Sequence, residues 1–199
     1  LDLRIQLMVE QLMTGTEEVP INGSAVVIKV QTGEILAITS KPSFDPNLFS
    51  AGISNAEWRK LLFNTEHPLQ NKVIDGQYPP GSVYKIIAAY AALEEKAVNP
   101  EDTVYCPGHY RLGRRVYRCW RRGGHGDVDL HDALVQSCDV YFYTVGYKLG
   151  IDTLARYAKK LGMGSLTRVN LIGEKPGLVP TKDWKLKARG EEWLAGETI

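Results

Sequence analysis

No apolar run in this sequence approaches the length that crosses a bilayer; stretches such as Ala25–Ile28 are only a few residues long. No basic segment followed by an apolar one marks a signal peptide, so any membrane anchor is expected outside these 199 residues. Charge of one sign is also missing. Lys plus Arg number 24 and Asp plus Glu 23, and a net charge of +1 gives no reason to expect a nucleic-acid partner. There is no internal repeat and no low-complexity tract. Cysteine is scarce: Cys106, Cys119 and Cys138 are the only three, all within one segment of 33 residues. An odd count excludes complete pairing into disulfides within the chain. What remains is an ordinary globular composition, 44% hydrophobic and 24% charged, in a chain long enough for one well-buried domain and short for two.

Leu1–Met13 combines strong helix formers with an apolar stripe and predicts a helix. Residues 25–30 and 35–40 are β-rich runs around Gln31-Thr32-Gly33-Glu34, which predicts a hairpin. Pro42 and Pro46 make residues 41–47 a loop. After Tyr78-Pro79-Pro80-Gly81, residues 82–95 are rich in alanine and isoleucine and predict a buried helix. Asp129–Leu149 predicts one long helix stopped by Gly150, and Ile151–Leu161 another, stopped by Gly162 and Gly164. Helix, hairpin, then several helices fit an α+β domain with helices covering an antiparallel sheet. Only two strands stand out, few for a domain of this size, so the chain is expected to lack strands of its parent domain.

Ser82-Val83-Tyr84-Lys85 places a hydroxyl and an amine three residues apart at the start of a helix. Positions i and i+3 share a helix face, so the amine can reach the hydroxyl. A serine hydroxyl is a poor nucleophile until a base takes its proton. Lysine serves as that base only when burial and the helix N-terminus favour its uncharged form. The plain alternative is a helix cap beside a surface lysine. Ser137-Cys138-Asp139 follows 55 residues after Ser82 and offers a second hydroxyl and a carboxylate. Acyl transfer from an amide needs a proton delivered to the leaving nitrogen, and such groups supply it. Taken alone, both also read as ordinary helix-terminal polar residues.

The spacing Cys106-x12-Cys119-x5-His125-x12-Cys138 assembles three thiols and an imidazole, a donor set suited to tetrahedral zinc. It lacks the short Cys-x2-Cys of common zinc fingers, and His109 is a rival fourth ligand. A Cys106–Cys119 disulfide with Cys138 buried as a small hydrophobe fits the same spacing. Composition leaves both readings open.

Tyr78–Lys85 resembles the nucleophile motif of the penicillin-binding proteins, in which Ser-x-x-Lys is followed by Ser-x-Asn and Lys-Thr-Gly. Ser40-Lys41-Pro42-Ser43-Phe44-Asp45-Pro46-Asn47-Leu48-Phe49, the stretch Ser137–Tyr143 and Val179-Pro180-Thr181-Lys182-Asp183-Trp184 narrow the resemblance to the penicillin-binding protein 2 family. These are the class B, elongation-specific peptidoglycan D,D-transpeptidases. The likeness runs from about Leu1 to Ile199 and implies their α+β fold, shared with serine β-lactamases, here without its C-terminal strands. Residues 1–199 would be a partial transpeptidase domain with residues 104–138 as a zinc-binding segment inside it.

Carried over, the resemblance makes Ser82 the acylated nucleophile, Lys85 its general base and Ser137 the proton shuttle. Asp139 stands where most relatives have asparagine and would hold Lys85 and the substrate amide. The family has a zinc site at positions matching Cys106, Cys119, His125 and Cys138. The implied substrates are peptidoglycan stem peptides ending in D-Ala-D-Ala, with β-lactams as inhibitors and D-Ala-D-Ala carboxypeptidase activity as a side reaction. The implied partners are a membrane glycosyltransferase and an elongation scaffold, at the periplasmic face of the bacterial inner membrane. The family continues into a Lys-Thr-Gly strand that supplies part of the oxyanion hole, and without it this chain is expected to be weak or inactive.

Two rivals share the motif. A serine β-lactamase needs a deacylating glutamate, which is not identifiable here. A non-catalytic β-lactam sensor domain would not be expected to carry the Pro-Ser-Phe-Asp-Pro-Asn and Val-Pro-Thr-Lys-Asp-Trp blocks. Arg111, Arg114, Arg115, Arg118, Arg121 and Arg122 fall within twelve residues and read either as a solvated positive face or as an attraction for anions. His67 and His131 read as structural, and Trp120, Trp184 and Trp193 as packing residues.

Overall fold

Asp2 accepts the backbone N–H groups of Arg4 and Ile5 and so caps the first helix, α1 (Leu3–Leu12). The computed structural model describes residues 1–16, 18–50 and 52–199. They form two compact units: Leu1–Tyr78 with Arg168–Lys175, and Pro79–Thr167 with Pro176–Ile199.

In the first unit, strands β1 (Gly23–Ile28) and β2 (Ile35–Lys41) pair antiparallel as the predicted hairpin, with an irregularity between Val27 and Ile28. Helix α1 packs along β2. There Gln6 donates from Nε2 to the Ile38 carbonyl at 3.0 Å and accepts the Ile38 N–H at 2.9 Å. One amide side chain thus satisfies both outward-facing polar groups of a residue at the edge of this two-stranded sheet. Two short helices follow, α2 (Asn47–Ser50) and α3 (Asn55–Leu62), the latter held by a Ser54/Glu57 capping box.

The second unit begins with a 3₁₀ turn at Gly81–Val83 that feeds α4 (Tyr84–Glu94). Short strands β3 (Val104–Cys106), β4 (His109–Leu112), β5 (Arg115–Arg118) and β6 (Gly126–Val128) come next. Helices α5 (Leu130–Val135), α6 (Asp139–Leu149), α7 (Ile151–Lys160) and α8 (Lys182–Arg189) complete it, with a 3₁₀ turn at Ala195–Glu197. Strand β3 pairs with β6 and β4 with β5, both antiparallel.

Ala88, Ala89, Ala91 and Ala92 line the buried side of α4. Their small side chains let α4 lie close against α6 and α7. Val140, Tyr141, Phe142 and Val145 of α6, with Leu154 and Tyr157 of α7, complete that core.

Two sequence expectations are corrected. Among the described residues there are six strands rather than two, because β3–β6 are too short to show a period-2 pattern. The single helix expected over Asp129–Leu149 is two helices, α5 and α6, broken at Ser137, whose φ of 52° lies in the left-handed region. No glycine or proline signals that break in the sequence.

Candidate active site and metal centre

Ser82 sits in the 3₁₀ turn that starts α4, and Gly81 before it has φ 55°, a conformation that a side chain would strain. Lys85 follows one turn later in α4. Its Nζ donates to the Ser137 carbonyl at 2.8 Å, to Ser137 Oγ at 3.0 Å and to Asp139 Oδ1 at 2.5 Å. Three acceptors match the three N–H groups of an ammonium. Ser137 Oγ in turn donates to Ser82 Oγ at 3.0 Å. The four expected residues therefore lie together. The amine, however, meets the Ser82 hydroxyl through Ser137 and makes its own hydrogen bonds to Ser137 and Asp139.

The broken helix produces this arrangement. A continuous helix would lock the Ser137 carbonyl into its own ladder. With the backbone turned left-handed at Ser137, both its carbonyl and its hydroxyl face Lys85. Holding a non-glycine residue there costs on the order of 1 kcal/mol, which the Lys85 contacts help offset. The Lys85 and Asp139 side chains are mostly enclosed, at 13% and 21% exposure, so their attraction is little screened by solvent.

Trp120 is the participant that sequence reading assigned to packing. Its side chain is no core group, since the residue is 65% exposed. Its backbone N–H donates to Asp139 Oδ2 at 2.9 Å, and its indole Nε1–H is shared between the carbonyls of Gln136 and Ser137, both at 3.1 Å. Trp120 and Lys85 thus share the Ser137 carbonyl and each take one oxygen of the Asp139 carboxylate. Only its place one residue after Cys119 pointed to it. Trp120→Phe keeps the Asp139 contact and removes the indole donor. It should slow acylation of Ser82 by about tenfold, read as the rate of fluorescent-penicillin labelling. An unchanged rate would make the indole dispensable.

Cys106, Cys119, His125 and Cys138 present ligand atoms that all lie within 4.8 Å of one another. Cys106 ends β3, Cys119 follows β5, His125 precedes β6 and Cys138 is the N-cap of α6, so the four come from separate parts of the chain. All three cysteines are free thiols and buried. The expected rival ligand, His109, is exposed on β4 and stands outside the group. His125 Nδ1 lies 3.5 Å from both Cys106 Sγ and Cys119 Sγ. Burial, followed by the nearby Arg121, lowers the His125 pKa and keeps the imidazole in its neutral, ligating form. Burial also pushes the Cys138 thiol up to about 12. Three sulfurs this close cannot all ionise without a compensating cation, and a divalent metal supplies one. The donor set and its enclosure fit a tetrahedral structural zinc. Asp129, His131 and Asp132 also lie together, but they are largely exposed and Asp129 caps α5.

A family model described as the penicillin binding protein transpeptidase domain matches residues 23–195. The chain belongs to that family. It is 38% identical to the peptidoglycan D,D-transpeptidase MrdA of Acinetobacter baumannii, an alignment that takes in all of this chain and 29% of that protein. The chain thus spans under a third of that relative's length. It superposes on PBP2 of Pseudomonas aeruginosa, solved in complex with WCK 5153, with a TM-score of 0.89 and 40% identity, covering 100% of this chain and 43% of the other. It also matches PBP2 in its complex with MreC from Helicobacter pylori, at TM-score 0.85 and 35% identity, over 89% of this chain and 33% of that one. The transpeptidase fold expected from the sequence motifs is therefore the observed one, a mixture of helices and antiparallel strands.

Proposed function

We propose that this chain carries the nucleophile and proton relay of a peptidoglycan D,D-transpeptidase, with Ser82 as the residue acylated by D-Ala-D-Ala stem peptides. The observation that supports this best is the continuous chain of hydrogen bonds from Ser82 Oγ through Ser137 Oγ to Lys85 Nζ and Asp139. Ser82 Oγ attacks the carbonyl carbon between the two D-alanines. Its proton moves to Ser137 Oγ as the Ser137 proton moves to Lys85 Nζ, the amine form of lysine being the acceptor. When the tetrahedral intermediate collapses, the same proton returns through Ser137 to the nitrogen of the departing D-alanine. The amine of a second strand then attacks the acyl-Ser82 ester and gives up its proton by the same route. A β-lactam enters by the first half of this sequence, because its strained amide carbonyl takes the place of the peptide bond. Hydrolysis by water in place of the second amine would give carboxypeptidase turnover.

Zinc held by Cys106, Cys119, His125 and Cys138 is part of the proposal. The ion would supply the positive charge that three adjacent buried thiolates require. Cys138 lies between Ser137 and Asp139, and Cys119 lies beside Trp120, so fixing the four ligands fixes the loop that orients Lys85. The chain itself would stand at the periplasmic face of the inner membrane. Among the described residues no helix is long and apolar enough to cross a membrane. A scaffold partner of the MreC kind follows from the likeness to the Helicobacter pylori complex, and a membrane glycosyltransferase from the family resemblance.

The 199 residues include no Lys-Thr-Gly, so efficient labelling is expected in the full-length protein and weak labelling in this chain alone. Fluorescent penicillin should label the full-length protein at Ser82, and Ser82→Ala should abolish the signal while leaving the melting temperature close to that of the parent. Labelling that persists in Ser82→Ala would remove Ser82 from the role.

A further inference from the structure

Between Asp102 and Asp127 the chain carries six arginines and not one acidic residue. The hairpin of β4 and β5 sorts these cations by side. Strand alternation and the pairings His109↔Arg118 and Arg111↔Val116 put His109, Arg111, Val116 and Arg118 on one face. Tyr110 and Tyr117 take the other and pack against Tyr143 of α6, with ring centroids 6.1 Å and 5.9 Å away. The aromatic side is thus committed to the core, and the cationic side is turned away from it.

That cationic side borders an open concavity of about 480 Å³ lined by Gly108, His109, Arg111, Val116, Arg118 and Arg122, with Cys119 in its wall. Arg122 reaches it because two glycine loops meet. A Cβ on Gly108 would come within 2.3 Å of the Arg122 carbonyl oxygen, and one on Gly124 within 2.1 Å of the Cys106 carbonyl oxygen. Only glycine lets these backbones touch. Among the described residues no ion pair involves Arg111, Arg118 or Arg122. Arg111 and Arg118 are diagonal cross-strand neighbours whose like charges repel, and nothing of opposite charge in this segment offsets that cost.

We propose that this cavity binds a peptide segment carrying two or more carboxylates, held by Arg111, Arg118 and Arg122. Guanidinium groups recognise carboxylates in bidentate fashion, so several converging on one concavity select a multiply charged oxyanion over a single one. A concavity of this volume admits the side chains of a short peptide. The residue after Cys119 is Trp120, which bonds Ser137 and Asp139, so the concavity adjoins the segment that carries those two residues. The identity of the peptide as cell-wall stem peptide rests on the function proposed above; the anion site itself does not.

Titration of the zinc-loaded chain with an N-acetylated diglutamate amide, followed by calorimetry, tests this without requiring acylation of Ser82. Saturable one-site binding is expected. The double variant Arg111→Gln/Arg118→Gln should weaken it by about tenfold or more. Arg114→Gln/Arg115→Gln removes the same charge outside the cavity and should leave binding unchanged. If the first variant fails to fold, Arg122→Gln, which lies outside the hairpin, should show the same loss. Equal weakening by both double variants, or binding that never saturates, would reduce the site to diffuse positive charge and overturn the proposal. Sulfate binding as tightly as the peptide would overturn the peptide assignment. Binding to phosphatidylglycerol vesicles with none to the peptide would replace it with a lipid surface.

Discussion

Lys85→Met should slow acylation of Ser82 by about 10³-fold, within the roughly 10²–10⁴ that a positioned base contributes. Methionine keeps an apolar stem of similar length near the Phe142 ring, above which Nζ lies at 5.8 Å. What it loses is the amine that bonds the Ser137 hydroxyl and the Asp139 carboxylate. The same substitution strands Asp139 Oδ1, and leaving an enclosed carboxylate without its partner is destabilising. Rate and stability must therefore be separated. Asp139→Asn added to Lys85→Met removes the stranded charge while keeping an acceptor for the Trp120 N–H. The double variant should regain most of the lost melting temperature and none of the lost rate. Recovery of both would make Lys85 a structural cation, with no part in moving the proton.

Removal of the metal should have the second large effect. Protein purified without added metal is expected to carry about one zinc per chain by elemental analysis. A bound ligand at a thousand times its dissociation constant stabilises by about 4 kcal/mol. For a chain of this size each kcal/mol moves the melting temperature by about 2–4 °C, so chelation should lower it by about 8–16 °C. All three thiols should then react with a thiol reagent after denaturation, consistent with the free cysteines. Acylation should fall with the metal, because the backbone on both sides of Cys138 carries the relay. A metal-free preparation with one reactive thiol and an unchanged melting temperature would favour the Cys106–Cys119 disulfide.

Local signals were sufficient for α1, the β1–β2 hairpin, α4 and α7. Each is long enough to show its period and is bounded by a cap or a breaker, such as Asp2 before α1 and Gly150 before α7. The strands around the three cysteines and His125 were not legible. Three or four residues carry no measurable alternation, and their pairing brings together residues far apart in sequence, such as Cys106 and Gly126. The break at Ser137 escaped notice for a related reason. No residue there prefers the left-handed region strongly, and the conformation persists because Lys85, 52 residues away, bonds the groups it exposes.

The amino-acid order alone established α1, α4, α7 and the hairpin, the Ser-x-x-Lys and Ser-x-Asp pairs, and the set of three cysteines and a histidine, because all of these are properties of neighbours along the chain. Which atoms meet belonged to the tertiary structure. It put Ser137 between Ser82 and Lys85, brought Trp120 onto Asp139, excluded His109 from the cluster and turned Arg111 and Arg118 toward one cavity. A hydrogen bond or a ligand cluster depends on distances across tens of residues, and those are fixed only when the core around α4 and α6 has packed.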